Sequence, residues 1–271
     1  MTDEQTTLEH FRIHGWMRVP AAFDAAEAAT MGDAVWRALE GAGVHRDRPS
    51  SWTTERPIHL QHLKADPVFQ AVRSTRLRAA IDAVLEGRSF DEPKNVGALF
   101  LAFPSARKWG VPTSGWHIDA NYLSALIPPA GVRTHALFGD VGPRGGGTQL
   151  VSGSHRLVHK WFKDHPPPKG TRGAGFRLLL REHPYVRDLH TEGDAEARIA
   201  RFMDRVEAVD SIPLRVVENT GAAGDVILLH PLVLHVAAPN AGTEPRFLLS
   251  GGVDTPAMYA DSEWPRTQTG A

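Results

Sequence analysis

The chain has no cysteine, which excludes a disulfide framework and any thiolate metal site. Any metal must therefore sit on His, Asp and Glu side chains. An excess of charge of one sign is also missing: 30 Lys and Arg against 31 Asp and Glu leave a net charge of -1. So weak a field steers the chain neither to nucleic acid nor to an anionic membrane. The longest apolar run, Val226 to Pro239, contains two His and two Pro and falls short of the roughly 20 residues of a membrane span. The opening Met1-Thr2-Asp3-Glu4-Gln5 lacks the basic and apolar regions of a secretory signal. Repeats and low-complexity segments are absent too. A cytoplasmic protein without nucleic-acid or membrane partners is the expectation, either monomer or homodimer.

What is present is an ordinary globular composition, with 42% hydrophobic residues over a length of 271. That is enough for a sizeable core, and no convincing linker divides the chain, so one domain over 1–271 is expected. Residues 1–94 read as a mainly helical part. Thr6 or Thr7 can cap a short helix closed by Gly15, Trp16 to Val19 alternates like a strand, and Asp24 caps a second helix ended by Gly41. Residues 42–62 are polar and read as a loop, and Pro67 to Leu85 has helical spacing. Short strands punctuated by Gly and Pro occupy 95–156 and 212–253, around a helical insertion at 157–211, and the tail 254–271 shows no periodicity. The fold class is thus mainly β with flanking helices. A double-stranded β-helix (a jelly-roll, cupin-like core) suits it, since such a barrel can hold one metal and small ligands.

His117 and Asp119, in Trp116-His117-Ile118-Asp119, point the same way on an extended strand, because side chains alternate with period two. One nitrogen and one oxygen donor on a face form two-thirds of a facial triad for non-haem iron(II). With 14 His in the chain a chance His-x-Asp is expected about once, and His45-Arg46-Asp47 supplies such a decoy. The second informative stretch, His230-Pro231-Leu232-Val233-Leu234-His235, delivers imidazoles into an apolar strand region, where each needs a partner. Arg246 then opens an apolar strand. An Arg entering a barrel interior needs an anion, and its forked donors suit a carboxylate.

Trp116-His117-Ile118-Asp119, the turn Gly145-Gly146-Gly147 leading to Ser152-Gly153-Ser154-His155-Arg156, and His230 to His235 followed by Pro239-Asn240 and Arg246 together resemble the phytanoyl-CoA dioxygenase family of iron(II)/2-oxoglutarate oxygenases. The resemblance covers most of residues 5–253 and is weakest over 157–211. It implies that His117, Asp119 and His235 ligate Fe(II) and that Arg246 holds the far carboxylate of the cosubstrate 2-oxoglutarate, with O2 as co-reactant. Thr134 and Gln149, on strands that should line the barrel, become candidate cosubstrate contacts. A small hydroxyl residue often stands two places after the distal His in the family, whereas here Ala237 does. The activity implied is hydroxylation of a small molecule of acyl, amino-acid or natural-product type, with release of succinate and carbon dioxide. Related halogenases carry Gly or Ala where this chain has Asp119, so halide transfer is not expected.

The bland readings are concrete. His117 and Asp119 could be a surface pair, His235 a satisfied core histidine, and Arg246 a structural partner of Asp225 or Glu244. The glycine run lacks the Lys-Ser/Thr and helix of a phosphate loop and reads as a hairpin turn. Trp116, Trp161 and Phe162 could line a pocket or pack. The alternative function is a non-catalytic, or 2-oxoglutarate-independent, jelly-roll metal-binding protein.

Overall fold

The computed structural model describes residues 3–57, 59–120, 126–166 and 174–259. The chain opens with helix α1 (Asp3–His14), strand β1 (Trp16–Val19) and helix α2 (Ala25–Gly41). Asp24 starts α2 through a capping box: its carboxylate accepts from the Ala26 N–H, and Glu27 accepts from the Asp24 N–H. Helix α3 (Thr75–Val84) precedes strands β2 (Ala98–Ala102), β3 (Gly131–Leu137) and β4 (Thr148–Ser152). Helices α4 (Ser154–Asp164), α5 (Ala174–Glu182), α6 (Pro184–Leu189) and α7 (Ala195–Phe202) follow. Strands β5 (Glu207–Val209), β6 (Ile212–Glu218), β7 (Val226–Leu229), β8 (His235–Ala237) and β9 (Arg246–Asp254) close the fold.

The strands form two antiparallel sheets, ordered β1-β7-β3-β9-β2 and β5-β6-β4-β8, as expected of a jelly roll. Period-two alternation gives each sheet two faces. On the first sheet Val132, Ala136, Val226, Leu228, Phe247 and Leu249 face outward into a cluster with α1, α2 and α3. Leu137, Ile227, Leu229 and Leu248 face inward and meet Leu150 of the second sheet. That sheet turns Val151, Leu214, Val216 and Val236 outward, where α4 to α7 cover them. The layers are therefore helices, sheet, interior, sheet, helices. Among the described residues no helix is long and apolar enough to cross a membrane.

Several elements differ from the sequence-based expectation. The helix expected over Pro67 to Leu85 is two pieces, a 3-10 turn at Pro67–Val72 and α3. Ser74 breaks it by taking the N-cap of α3, its Oγ accepting from the Leu77 N–H at 3.0 Å and donating to the Ala22 carbonyl. Helix α1 starts before Thr6 and Thr7, so neither is its cap. The helical insertion begins at Ser154, and β5 already pairs with β6 at Glu207, so its helices span 154–202 rather than 157–211. Helix α6 starts on Pro184, a residue at home in a first helical turn but easily read as loop. Residues 167–173, including part of the proline run, and the tail from 260 lie outside the described residues.

The central turn locks the base of the barrel. Gly15 has φ +77°, and a Cβ there would lie 2.5 Å from His155 Nδ1. Gly153 (φ +85°) donates its N–H to the His14 carbonyl at 2.8 Å. His155 is buried and its Nε2–H donates to the Arg12 carbonyl at 3.1 Å. Burial holds this imidazole's pKa down to about 4. Because the folded value lies below the unfolded one, the unfolded chain binds the extra proton as pH falls through 6.5, and stability is lost there. Between pH 7 and 5 the parent is expected to lose roughly 2 kcal/mol more than His155→Gln at ~1.4 kcal/mol per pH unit. Urea unfolding at the two pH values reads the difference, and equal losses would refute it.

Candidate metal centre

His117 and Asp119 lie on an extended segment laid against β8 rather than on a regular strand. The His117 and His235 backbones exchange N–H···O bonds of 3.0 Å in both directions, and Asp119 N–H donates to the Pro231 carbonyl at 3.0 Å. The segment thus acts as an added edge of the second sheet. This pairing brings one ligand atom each of His117, Asp119 and His235 within 4.8 Å of one another. His235 is buried, Asp119 half-buried and His117 exposed, so the group opens to solvent on one side.

Local bonds aim both rings. His117 Nδ1 lies 2.8 Å from the Gly115 carbonyl and His235 Nδ1 lies 3.0 Å from the Val233 carbonyl. A carbonyl only accepts, so Nδ1 carries a proton in each ring, and in the neutral form Nε2 keeps its lone pair. His235 Nε2 faces Asp119 Oδ2 at 3.7 Å. Burial pushes the Asp119 carboxyl up, but His235, Arg133, His117 and His135 together outweigh it, leaving it below the usual carboxylate range. For His235 burial is the larger effect and outweighs the pull of Asp119, so its pKa falls. The two directions do not describe an ordinary ion pair. They describe a carboxylate beside a neutral imidazole, the states a metal needs.

Around this group the interior face of the first sheet is polar. Arg133 sets its Nε 3.9 Å from Asp119 Oδ2 and its Nη1 2.8 Å from Asp254 Oδ1. His135 is buried, its ring 5.8 Å from that of His235 and its Nδ1 without a hydrogen-bond partner among the described residues. Burial, helped by His235, lowers its pKa to about 3, so the ring is neutral. Arg246 pairs in register with Ala102 and shares the inward face of Leu248. It is 3% exposed, and among the described residues its Nε has no hydrogen-bond partner. Burial, then the nearby Arg56 charge, pull its pKa down to about 10, which leaves it protonated at neutral pH. Among the described residues no carboxylate pairs with it, since Asp225 faces Arg18 at 3.9 Å and accepts from the Ala21 N–H. Arg56 donates to the Ala237 and Ala238 carbonyls at 3.3 Å each, beside a backbone bond from Phe103 N–H to the Glu55 carbonyl at 2.8 Å.

Not every predicted residue arrives. Thr134 pairs with Leu228 and lies on the outward face of β3, so the sheet separates it from the site. It borders another cavity, of about 490 Å³, beneath α3. Gln149 points outward with Val151, its Nε2–H donating to the Gly110 carbonyl at 3.1 Å. Both stand on outward faces, and for Thr134 a shift of one residue in the reading exchanges the two faces. His135 and Arg56 went unnoticed as site residues, although β3 alternation alone could have separated Arg133 and His135 from Thr134. The decoy His45 and Asp47 lies in the loop after α2, with Arg46 bound to Asp33. His230 is structural: its Nδ1 accepts from the Leu232 N–H at 3.1 Å. Trp116, Trp161 and Phe162 pack in the cluster under the insertion. A cavity of about 530 Å³ opens at His117, bordered by Arg56, Arg107, Lys108, Glu192 and Arg198.

Fold and site define a jelly-roll protein with a two-histidine, one-carboxylate constellation on its inner wall. Residues 11–248 match the phytanoyl-CoA dioxygenase (PhyH) family, and the chain belongs to it. Among solved structures, AviO1 from Streptomyces viridochromogenes Tue57 superposes with TM-score 0.58 at 19% identity, covering 98% of this chain and 99% of that one. The epimerase SnoN, in complex with Fe3+, alpha ketoglutarate and nogalamycin RO, gives TM-score 0.55 at 19% identity over 93% and 83% of the two chains. The alpha ketoglutarate dependent carbocyclase SnoK gives 0.51 at 16% identity over 94% and 84%. At these identities the likeness concerns the fold. No curated protein matches the sequence.

Arg246 generates a prediction of its own. A buried guanidinium without an anion destabilises the chain, and an anion that binds only the folded state stabilises it. Saturating 2-oxoglutarate or succinate is expected to raise the melting temperature of the parent, by the equivalent of roughly 2.7 kcal/mol at a hundredfold excess over Kd. Arg246→Met should show no such rise and should be no less stable than the ligand-free parent. A full shift in Arg246→Met would place the anion elsewhere.

Proposed function

We propose that the chain is an iron(II)- and 2-oxoglutarate-dependent dioxygenase that hydroxylates an unactivated C–H of a small molecule, releasing succinate and carbon dioxide. The observation that carries this reading is the buried Arg246, without an ion-pair partner among the described residues, on the inner face of the first sheet and turned to the same interior as the three convergent donors. A metal-binding protein that ignored 2-oxoglutarate would have no use for that cation.

In this reading His117, Asp119 and His235 hold the metal, with both rings already oriented by their own backbone carbonyls. When bound, the iron and its cosubstrate supply the oxidising power for attack on the C–H bond. Arg246, seconded by Arg56, holds the far carboxylate of 2-oxoglutarate and so fixes the cosubstrate's direction. Arg56 sits over the Ala237 carbonyl, close to where relatives often carry a hydroxyl side chain, and supplies donors there. His135 presents a neutral ring to the same space. The Arg133–Asp254 pair steadies the Asp119 carboxylate. Substrate enters by the cavity at His117, whose charged rim favours a polar amino-acid or natural-product type over a long acyl chain.

SnoN is an epimerase and SnoK a carbocyclase, so this scaffold serves other outcomes. Hydroxylation is favoured here by Asp119, whose carboxylate fills the position left open in related halogenases. The test is succinate formation from 2-oxoglutarate with added iron(II), on the parent and on His235→Ala, over a panel of polar small molecules screened for a mass gain of one oxygen. The parent is expected to form succinate and His235→Ala to lose at least a hundredfold in rate, of the order of ~2.7 kcal/mol in barrier. Bound iron without succinate in the parent would favour the non-catalytic alternative.

A further inference from the structure

The insertion is tied to the metal-facing segment by one side chain, Arg198 on α7. It is buried, and all five of its N–H groups meet backbone carbonyls. Nε donates to Val111 O at 3.4 Å, Nη1 to Asp188 O at 3.1 Å and Thr191 O at 2.7 Å, and Nη2 to Pro112 O at 3.3 Å and Leu189 O at 2.7 Å. Among the described residues no carboxylate forms an ion pair with it. Asp188 and Leu189 end α6, where helical carbonyls are left over for such a donor. The fork therefore joins two bodies: the corner between α6 and α7, and the segment that runs on to His117.

The connection continues. Pro112 O accepts a second bond, from Trp116 Nε1 at 2.8 Å, and Trp116 adjoins His117 in sequence. Trp116 is itself packed among the insertion's apolar side chains. The same guanidinium borders the cavity of about 530 Å³ at His117, together with Glu192, Gly193 and Ala195 from the corner. The other ties across this cavity are exposed: Thr113 Oγ1 donates to Glu192 Oε1 at 2.7 Å, and Lys108 Nζ lies 3.6 Å from Glu196 Oε1. Exposed pairs of this kind contribute ~1 kcal/mol or less. A buried fork with five acceptors is the stronger tie.

We propose that Arg198 is a positioning residue that fixes His117 for metal binding through Pro112 and Trp116, and that it makes the α6–α7 corner the substrate-selecting wall of the cavity. The proposal rests on His117 being a metal ligand. The corner's side chains at 192 and 195 then govern which molecule is admitted, while the sheets govern the chemistry.

The test is cobalt(II) binding by the full chain, with the metal alone as probe, in the parent, Arg198→Lys, Trp116→Phe and the double variant. Lysine keeps the charge but cannot reach five carbonyls, and phenylalanine removes only the indole N–H and some volume. Arg198→Lys is expected to bind cobalt about tenfold more weakly, in the range seen for groups that orient a ligand, with a shifted visible cobalt spectrum and an unchanged circular dichroism spectrum. Trp116→Phe should weaken binding in the same direction, and the double variant should be no weaker than Arg198→Lys, because both act through one carbonyl. Unchanged affinity in a folded Arg198→Lys, or fully additive losses, overturns the proposal. Should Arg198→Lys not fold, Trp116→Phe decides alone: weaker binding supports the proposal, and parental affinity overturns it. If the parent itself binds no cobalt, the metal assignment fails first, and this inference fails with it.

Discussion

Everything at the site depends on a short backbone pairing. Two hydrogen bonds of 3.0 Å between His117 and His235, and a third from Asp119 to Pro231, add a segment from the first half of the chain to a strand from the second. The residues are separated by more than a hundred positions, and neither half alone has a face on which three donors meet. The surrounding fold exists, in physical terms, to make that pairing inevitable. Sheet β5-β6-β4-β8 supplies the edge, the insertion packs Trp116 from behind, and the first sheet closes the interior opposite.

The electrostatics follow from the closure. A pocket that excludes water makes each unpaired charge expensive, so charges placed there persist only with a purpose or a partner. Arg133 has its partners in Asp119 and Asp254. Arg198 has five carbonyls. Arg246 has neither, and Arg56 adds like charge beside it. The interior is thus positive on one side of Asp119 and neutral at His135 and His235, a polarity that suits an acidic small molecule.

Much of this was legible in the sequence. The His-x-Asp pair is weak by itself and gains its weight from the distal His235, from Arg246 and from the family resemblance, and the pairing of its segment with β8 makes the three donors converge. The failures have physical causes. Thr134 faces outward while its neighbours Arg133 and His135 face the site, because composition does not fix the parity of a strand and only its pairing with β7 and β9 does. Arg56 lies in a polar loop with no period, and nothing but tertiary packing brings it to Ala237. Ser74 split an expected helix because a capping hydroxyl competes with helix continuation, a local contest that apolar spacing does not register.

The orientation of the two metal-facing rings has a wider consequence. Each imidazole is held by the carbonyl two residues before it in its own segment, at Gly115 and at Val233. Backbone rather than side chains holds Nδ1 of both rings. Apart from Arg198 and Trp116, the neighbours that shape the cavity are consequently free to change over evolutionary time without turning the rings, and the charged rim and the outer cavity walls can diverge around a centre that stays put. Such insulation lets a lineage explore new substrates by ordinary drift in the walls, while the apparatus for oxidation is inherited with the backbone.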